Sequence, residues 1–292
     1  MTDVISDHDV RARQHVVIDA VNEHIKRYVV AVIPLDDETD HLGGDGGSGV
    51  AVQIGPRRFI AVANHVLVVP DERLTLLALD HSGWVAPGGI VRRVANSDLL
   101  VDVALLEIDG ATAERLGCHF FPLARIRPWS GRLPVPAYVM LHGFPGALRE
   151  RDAGGLGVRA GAQGFATVTV RTPMHHTPKP DLHLYCEYPE TWTRAQGQVS
   201  APSAVGYSGS GIWLLNYLDG KLWGPEHCEL IAIQTDWQVT QRWIRGTEIQ
   251  HVLKLIAAAY DDLRPLIERH IQDCAALTEA PPPAERGGDA QF

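Results

Sequence analysis

Three short strings of this sequence contain the side chains that nucleophilic hydrolysis needs, in the order base, orienting acid, nucleophile. His65 follows an apolar run, Asp102 stands directly before another, and Ser208 lies in the glycine-rich string 206–211. A serine hydroxyl attacks poorly at neutral pH unless a neutral imidazole takes its proton and a carboxylate fixes the imidazole tautomer. The ordered set therefore predicts covalent catalysis by Ser208, with His65 as base and Asp102 as orienting acid.

The spacing of the three residues requires that different elements bring them together. His65 and Asp102 are 37 residues apart, and Ser208 follows Asp102 by 106. Asp98 is a nearby alternative acid, but Asp102 is favoured because it opens the apolar run 103–106. Glycines close to Ser208 let the backbone come near a reacting carbonyl.

Short apolar and β-branched runs separated by turn signals dominate the chain and predict an all-β fold. They lie at 29–33, 50–54, 59–62, 74–79, 89–94 and 103–108 and, after a proline-rich seam at 122–136, at 137–141, 165–171, 182–187, 211–215 and 230–235. This pattern favours barrels or sandwiches over βαβ units. Helical periodicity is confined to 9–28 and 247–277, where Thr247 and Gln250 match a capping box.

Composition narrows the function classes. A net charge of −9 gives a nucleic-acid partner no electrostatic support. The start of the chain, 1–13, lacks the apolar core of a secretory signal, and no run reaches the roughly 20 apolar residues of a membrane span. We therefore expect no membrane partner and a cytoplasmic location.

The four cysteines form no C-x-x-C pair, and the spacing of His175, His176, His183 and Cys186 fits no regular ligand frame. We expect no metal and no cofactor.

The combined motifs resemble those of trypsin-like serine proteases of the chymotrypsin fold, in the style of the bacterial intracellular and HtrA-like members. The matching strings are Ala63-Asn64-His65-Val66, the D-x-A-L-L run at 102–106, the G-x-S-G-G pattern at 206–210, the G-S-G string at 47–49 and the channel-strand pattern at 230–235. The resemblance spans residues 29–260. It implies a serine endopeptidase that acts on protein or peptide substrates through an acyl-enzyme.

The resemblance also implies an architecture of two six-stranded antiparallel barrels. The first, 29–128, would contain His65 and Asp102, and the second, 129–245, would contain Ser208. Around them we expect an N-terminal helical segment at 1–28, C-terminal helices at 246–277 and a disordered tail at 278–292. The apolar faces of these helices should pack on the barrels; docking of a regulatory protein partner is the alternative use.

The family pattern implies further site residues. The N–H groups of Gly206 and Ser208 would form the oxyanion hole. The substrate-binding positions would be Pro202, Ser203, Gln234, Thr235 and Asp236. Neither Pro202 nor Ser203 is acidic, so a neutral or small apolar P1 residue is expected.

Three residues depart from the family pattern. Ser210 and Gly211 stand where the family has glycine and proline, which should be tolerated because neither is an implied oxyanion donor. Tyr207 stands where secreted digestive members have an aspartate that pairs with a freed N-terminus, so activation by that route is not expected.

Two other functions compete with the endopeptidase. The string 141–146 resembles the oxyanion string of α/β-hydrolases, and Ser208 with Asp236 and His251 would give an esterase of that type. Ser210 opposes this reading, because a nucleophile elbow needs glycine there, and alternating strands and helices are missing from the sequence pattern. The other alternative is a catalytically inactive protease-fold binding protein.

Overall fold

The structure is a computed structural model, and it describes residues 17–34, 46–68, 70–71, 74–78, 89–95, 100–129, 136–146, 149–151, 158–171, 182–194, 197–201, 203–215, 224–238 and 240–279. The predicted all-β character is confirmed. The described strands divide into a closed barrel, a larger open sheet and two small hairpins.

The first half of the chain forms a seven-stranded sheet. Its strands are β1 (Val29–Pro34), β2 (Gly47–Ile54), β3 (Arg57–Ala63), β4 (Leu74–Ala78), β5 (Ile90–Ala95), β6 (Val103–Ile108) and β7 (Phe121–Pro122). Their order is β4-β1-β2-β3-β6-β5, with β7 parallel to β2. Within the described residues β4 and β5 do not pair, so the structure shows this half as a sheet and does not confirm the expected closure into a second six-stranded barrel.

The second half contains the closed barrel. Its strands are β8 (Tyr138–Gly143), β11 (Gln163–Val170), β12 (His183–Glu187), β15 (Gly211–Leu214), β16 (Glu229–Gln238) and β17 (Trp243–Glu248). They close in the order β11-β12-β17-β16-β15-β8, and every pair is antiparallel. Two hairpins lie apart from it, β9 (Arg149–Arg151) with β10 (Val158–Ala160), and β13 (Thr191–Arg194) with β14 (Gly197–Ser200).

The two halves of the chain pack against each other through one hydrophobic core, called the shared core below, which contains side chains from both. Side chains alternate between the two faces of a strand, so one strand can supply both the barrel interior and the shared core. In β15, Ile212 and Leu214 point into the barrel, whereas Trp213 enters the shared core. There its ring meets that of Phe121 from β7 edge-on, with 4.7 Å between the ring centroids. This packing fixes the barrel against the sheet, so loops from both halves meet at a constant position.

Helices from both ends of the chain pack on this shared core. They are α1 (residues 17–25), α3 (Ile249–Ala259) and α4 (Arg264–Glu279); the short α2 (Gly110–Leu116) follows β6. The capping box predicted at Thr247 is wrong, because β17 continues to Glu248 and Thr247 Oγ1 instead donates to the Val101 carbonyl at 2.6 Å. None of the described helices is long and apolar enough to cross a membrane. Residues 1–16 and 280–292, with most of the predicted tail, lie outside the described residues.

Candidate active site

His65 and Asp102 lie side by side at neighbouring strand ends. Ala63, the last residue of β3, pairs with Val103, the first residue of β6. His65 follows in a 3-10 turn, Asn64–Val66, and Asp102 directly precedes β6. His65 Nδ1 lies 2.7 Å from Asp102 Oδ2, and the His65 backbone N–H donates to Asp102 Oδ1 at 3.0 Å. The carboxylate therefore holds both the backbone and the ring of the histidine.

Asp102 adopts a left-handed backbone conformation, with φ at 41°. Aspartate is among the few residues that tolerate this region, at a cost of about 1–3 kcal/mol. The same turn lets the Asp102 carbonyl accept the Asn64 N–H at 3.0 Å. Three oxygen atoms of Asp102 thus fix the turn that contains His65.

The electrostatics suit a general base. The hydrogen bond with Asp102 raises the pKa of His65 above its ordinary value of 6.5, against the opposing effect of burial. With Nδ1 bonded to the carboxylate, the neutral ring holds its hydrogen on Nδ1 and leaves the Nε2 lone pair to accept a proton. The His65 side chain is 49% exposed, so a reactant can reach it.

The Ser208 loop packs against the strands that end at His65. Ser48, on β2, donates its backbone N–H to the Ser208 carbonyl at 2.7 Å. A Cβ on Gly209 would lie 1.9 Å from the Ser48 carbonyl oxygen and 3.1 Å from the nitrogen of Ala63, two residues before His65. The bare backbone of Gly209, with φ at 92°, is what allows this approach.

The hydroxyl of Ser208 is not bonded to the imidazole. Within the described part of the chain, no hydrogen bond joins Ser208 Oγ to His65 Nε2. Catalytic hydrogen bonds are often long in a free enzyme and tighten only when substrate binds. The structure therefore brings His65 and Asp102 into contact and places the Ser208 backbone beside them, but it does not show a hydrogen bond between Ser208 Oγ and His65 Nε2.

The four carbonyl groups of 205–208 are all held by donors. Val205 accepts from the Gly146 N–H at 2.8 Å, and Tyr207 accepts from the Ser210 N–H at 2.7 Å. The Gly206 carbonyl accepts from Ser48 Oγ at 2.8 Å, and that of Ser208 from the Ser48 N–H. The orientation of every peptide unit in this loop is thereby fixed.

Two N–H groups of the loop have no acceptor among the described residues, those of Gly206 and Ser208. In a trans peptide the N–H points away from the C=O. The bond to the Val205 carbonyl therefore turns the Gly206 N–H away from Gly146, and the bond to the Tyr207 carbonyl turns the Ser208 N–H away from Ser210. A pair of free backbone donors two residues apart is what an oxyanion hole requires.

The predicted substrate-binding residues differ in their surroundings. Pro202 lies outside the described residues, and Ser203 is exposed, with Oγ accepting the Val205 N–H at 3.3 Å. The side chains of Gln234 and Thr235 are buried, and the Gln234 backbone holds the loop through Gly209 and Ser210. Asp236 presents an exposed carboxylate, paired with Arg245 across β16 and β17 at 3.2 Å.

Two residues of this region were not recognised as site residues from the sequence. Ser48 appeared there only as part of a matching G-S-G string, and nothing in the string shows where its hydroxyl points. Arg245 is a charged residue between apolar neighbours on β17, which is a usable signal. It faces Asp236, and both residues act electrostatically on His65.

The remaining sequence alternatives are less compatible with the structure. Ser208 leads into strand β15 and not into a helix, which is not the strand–turn–helix setting of an α/β-hydrolase nucleophile. His142, in the hydrolase-like string, is buried on β8, and burial lowers its pKa to about 3. The described residues contain no group of three or more potential metal ligands, and Asp98, His175 and His176 lie outside them.

No family model matches the sequence, and no curated relative matches it. Solved structures do resemble it. A Glu endopeptidase is 12% identical with a TM-score of 0.47, and the match covers 80% of this chain and 90% of that one. Rv3671c from M. tuberculosis H37Rv, in an inactive mutant form, is 12% identical with a TM-score of 0.45 and coverages of 83% and 91%, and the protease of tobacco vein mottling virus is 11% identical with a TM-score of 0.41 and coverages of 77% and 78%. These neighbours are proteases of the chymotrypsin fold. Because the identities and TM-scores are this low, the activity of this chain has to be inferred from its own residues.

Proposed function

We propose that this chain is a serine endopeptidase that hydrolyses peptide bonds through an acyl-enzyme. The observation that carries the proposal is the combination of the His65–Asp102 pair with two free N–H groups in the adjoining Ser208 loop. Base, orienting acid, nucleophile and oxyanion donors are the complete set of parts for acyl transfer. No cofactor is needed for this chemistry, and we propose a cytoplasmic location.

Each residue has one role in the mechanism. Ser208 Oγ attacks the scissile carbonyl while His65 Nε2 takes its proton, and Asp102 stabilises the imidazolium that forms. The N–H groups of Gly206 and Ser208 bind the oxyanion of the tetrahedral intermediate. His65 then gives the proton to the leaving amine as the C–N bond breaks and the acyl-enzyme forms. A water molecule, deprotonated by His65, attacks the acyl-enzyme, and His65 returns that proton to Ser208 Oγ as the ester bond breaks and the acid product leaves.

The substrate we propose is an extended peptide segment. Strand β16 pairs with β15 over residues 229–233, whereas residues 236–238 pair only with β17 among the described strands. No described strand pairs with the other backbone edge of 236–238, directly beyond Gln234, which contacts the Ser208 loop; side chains bond two backbone groups here, Gln234 Nε2 the Asp236 carbonyl and Asp236 Oδ1 the Trp237 N–H. An extended peptide can add to such an edge as a further strand.

One comparison of variants tests this function. A labelled, unfolded protein is incubated with the wild-type chain, with Ser208→Ala and with Ser200→Ala, an exposed serine on hairpin strand β14. We expect Ser208→Ala to lose about 10⁴-fold or more of the cleavage rate and Ser200→Ala to match the wild type. Cleavage by Ser208→Ala at the wild-type rate would contradict the proposal.

The second candidate function is an inactive protease-fold binding protein. The observation that favours it is the missing hydrogen bond between Ser208 Oγ and His65 Nε2. Such a protein would bind peptides without cleaving them, and the Ser208 hydroxyl would react no faster than an ordinary serine. Reactivity of Ser208 towards an active-site-directed reagent therefore separates the two functions.

A further inference from the structure

Ser48 occupies a junction between the sheet, the barrel and the Ser208 loop. It lies on β2, is fully buried, and its Oγ is 2.8 Å from two groups, the Gly206 carbonyl oxygen and the Phe144 backbone nitrogen. Its own N–H bonds the Ser208 carbonyl at 2.7 Å. Ser48 therefore fixes the peptide units that directly follow Gly206 and Ser208, whereas the bonds from Gly146 and Ser210 fix the preceding units, which contain the two N–H groups that have no acceptor among the described residues.

The hydrogen positions at Ser48 follow from this geometry. The Phe144 N–H can only donate, so Ser48 Oγ accepts there. A hydroxyl has a single hydrogen, and the Gly206 carbonyl can only accept, so that hydrogen points to Gly206. The chain Phe144 N–H to Ser48 Oγ–H to Gly206 C=O is thus fixed in direction, and it links strand β8 of the barrel to the loop through β2.

We propose that Ser48 is a positioning residue that holds the Gly206 and Ser208 N–H groups in register for the oxyanion. The inference rests on the function proposed above and adds to it a residue that touches no reacting atom. Its role is to orient the donors before substrate arrives, because preorganised donors need no rearrangement as charge develops.

The local backbone explains why such a restraint is needed. Gly206 has φ at 91°, in the region that only glycine visits freely, and it has no side chain that packing could lock. Gly143 reserves the space for the restraint: a Cβ there would lie 2.6 Å from Ser48 Oγ and 2.0 Å from Ser210 Oγ. The sequence thus has glycine both at 206, where φ is positive, and at 143, where a side chain would collide with the Ser48 hydroxyl.

The test compares Ser48→Ala with a matched control, Thr167→Val. Thr167 also donates a hydroxyl to a carbonyl, that of Glu187 at 2.7 Å, and is also buried, but this bond joins β11 to β12 and not to the Ser208 loop. The measurement is the second-order rate at which a fluorophosphonate labels Ser208, over a range of pH, with circular dichroism as the check on folding.

We expect Ser48→Ala to label about 10-fold more slowly or worse, since losing one oxyanion donor outright costs about 10²–10³-fold. The midpoint of its pH–rate profile should stay at the wild-type value, because the His65–Asp102 pair is untouched. Thr167→Val should keep the wild-type labelling rate. If Ser48 had a purely structural role, both variants would be less stable than the wild type, and neither would be labelled more slowly.

The remaining outcomes also decide the question. A folded Ser48→Ala that labels at the wild-type rate overturns the inference but leaves the proposed function intact, whereas a wild type that does not label refutes both. If Ser48→Ala does not fold, Ser48→Cys replaces it; a folded, slower Ser48→Cys supports the inference and wild-type labelling overturns it. Failure of both variants to fold overturns it too, because Ser48 is then a core residue.

Discussion

Asp102 binds His65 twice, with Oδ1 on the backbone N–H at 3.0 Å and Oδ2 at 2.7 Å from Nδ1 of the ring. One bond places the main chain and the other fixes the tautomer and the rotation of the ring. The imidazole is consequently oriented before any substrate binds, and the properties of the site should follow from this pair.

The pH dependence of kcat/KM should reflect the bond between Asp102 and His65. Only the neutral imidazole can take the Ser208 proton, so activity must rise with pH as His65 loses its proton. Because the Asp102 hydrogen bond raises the pKa of His65, the midpoint of the rise should lie above 6.5. A pH–rate profile on any cleavable substrate measures it, and a rate that stays flat from about pH 5 to 8 would exclude a histidine base.

Asp102→Asn should lower kcat by about 10⁴-fold with little change in fold. Asparagine tolerates the left-handed backbone and keeps an oxygen for the His65 N–H. Its amide NH₂ then faces Nδ1, which puts the imidazole hydrogen on Nε2, where it cannot accept a proton. Asp262→Asn is the control: it removes an exposed ion pair with Arg57, worth about 0–1 kcal/mol, and should leave kcat unchanged. Equal kcat in the two variants would contradict the role of Asp102.

Gly209→Ala should destabilise the chain by about 3 kcal/mol or more. The new Cβ would meet the Ser48 carbonyl oxygen at 1.9 Å, in a backbone conformation with φ at 92°. Gly110→Ala is the control, since nothing lies within 4 Å of a Cβ at this first residue of α2, and we expect it to be neutral or stabilising by up to about 1 kcal/mol. Urea unfolding of both variants gives the comparison, and equal midpoints would show that the loop yields to the methyl group.

Ile267→Asp should lower the free energy of unfolding by about 3 kcal/mol or more, because it places a carboxylate in the shared core. Ile267 is fully buried, whereas its neighbour Leu266 on α4 is 42% exposed. Leu266→Asp should therefore change stability by no more than about 0.5 kcal/mol. Thermal unfolding of the two variants tests whether α4 packs on the body of the protein. If Ile267→Asp leaves stability unchanged and only an assembly is lost, the helix serves a regulatory partner.

The strands and the functional strings could be predicted because their signals are local. Period-two alternation and β-branched residues identify strands without knowledge of their partners. The adjacency of His65 and Asp102 follows once β3 and β6 pair, and the sequence indicated both runs. The closed first barrel was expected from the resemblance and not from these local signals, because alternation within a strand does not show which edge strands pair; β4 and β5, the two edges of the sheet, do not pair within the described residues.

The hydrogen-bond partners within the site could not be predicted from the sequence, because they depend on where each side chain and backbone group points in the folded chain. Thr247 matched a helix cap, yet tertiary contact with Val101 took its hydroxyl and extended β17 instead. The resemblance named the N–H groups of Gly206 and Ser208 as oxyanion donors, but that they have no acceptor among the described residues emerges only once the other backbone groups of the loop have been paired. The role of Ser48 likewise depends on contacts 96 and 158 residues away.

The most direct test of the account is the labelling of the full chain with a fluorophosphonate. Ser208 Oγ would displace fluoride from phosphorus as its proton passes to His65 Nε2. We predict one added phosphonyl group in the intact mass, mapped by peptide sequencing to Ser208, and labelling slowed by about 10³-fold or more in His65→Gln. Absence of labelling, modification of a different serine, or equal rates for the wild type and His65→Gln would contradict a serine peptidase centred on Ser208.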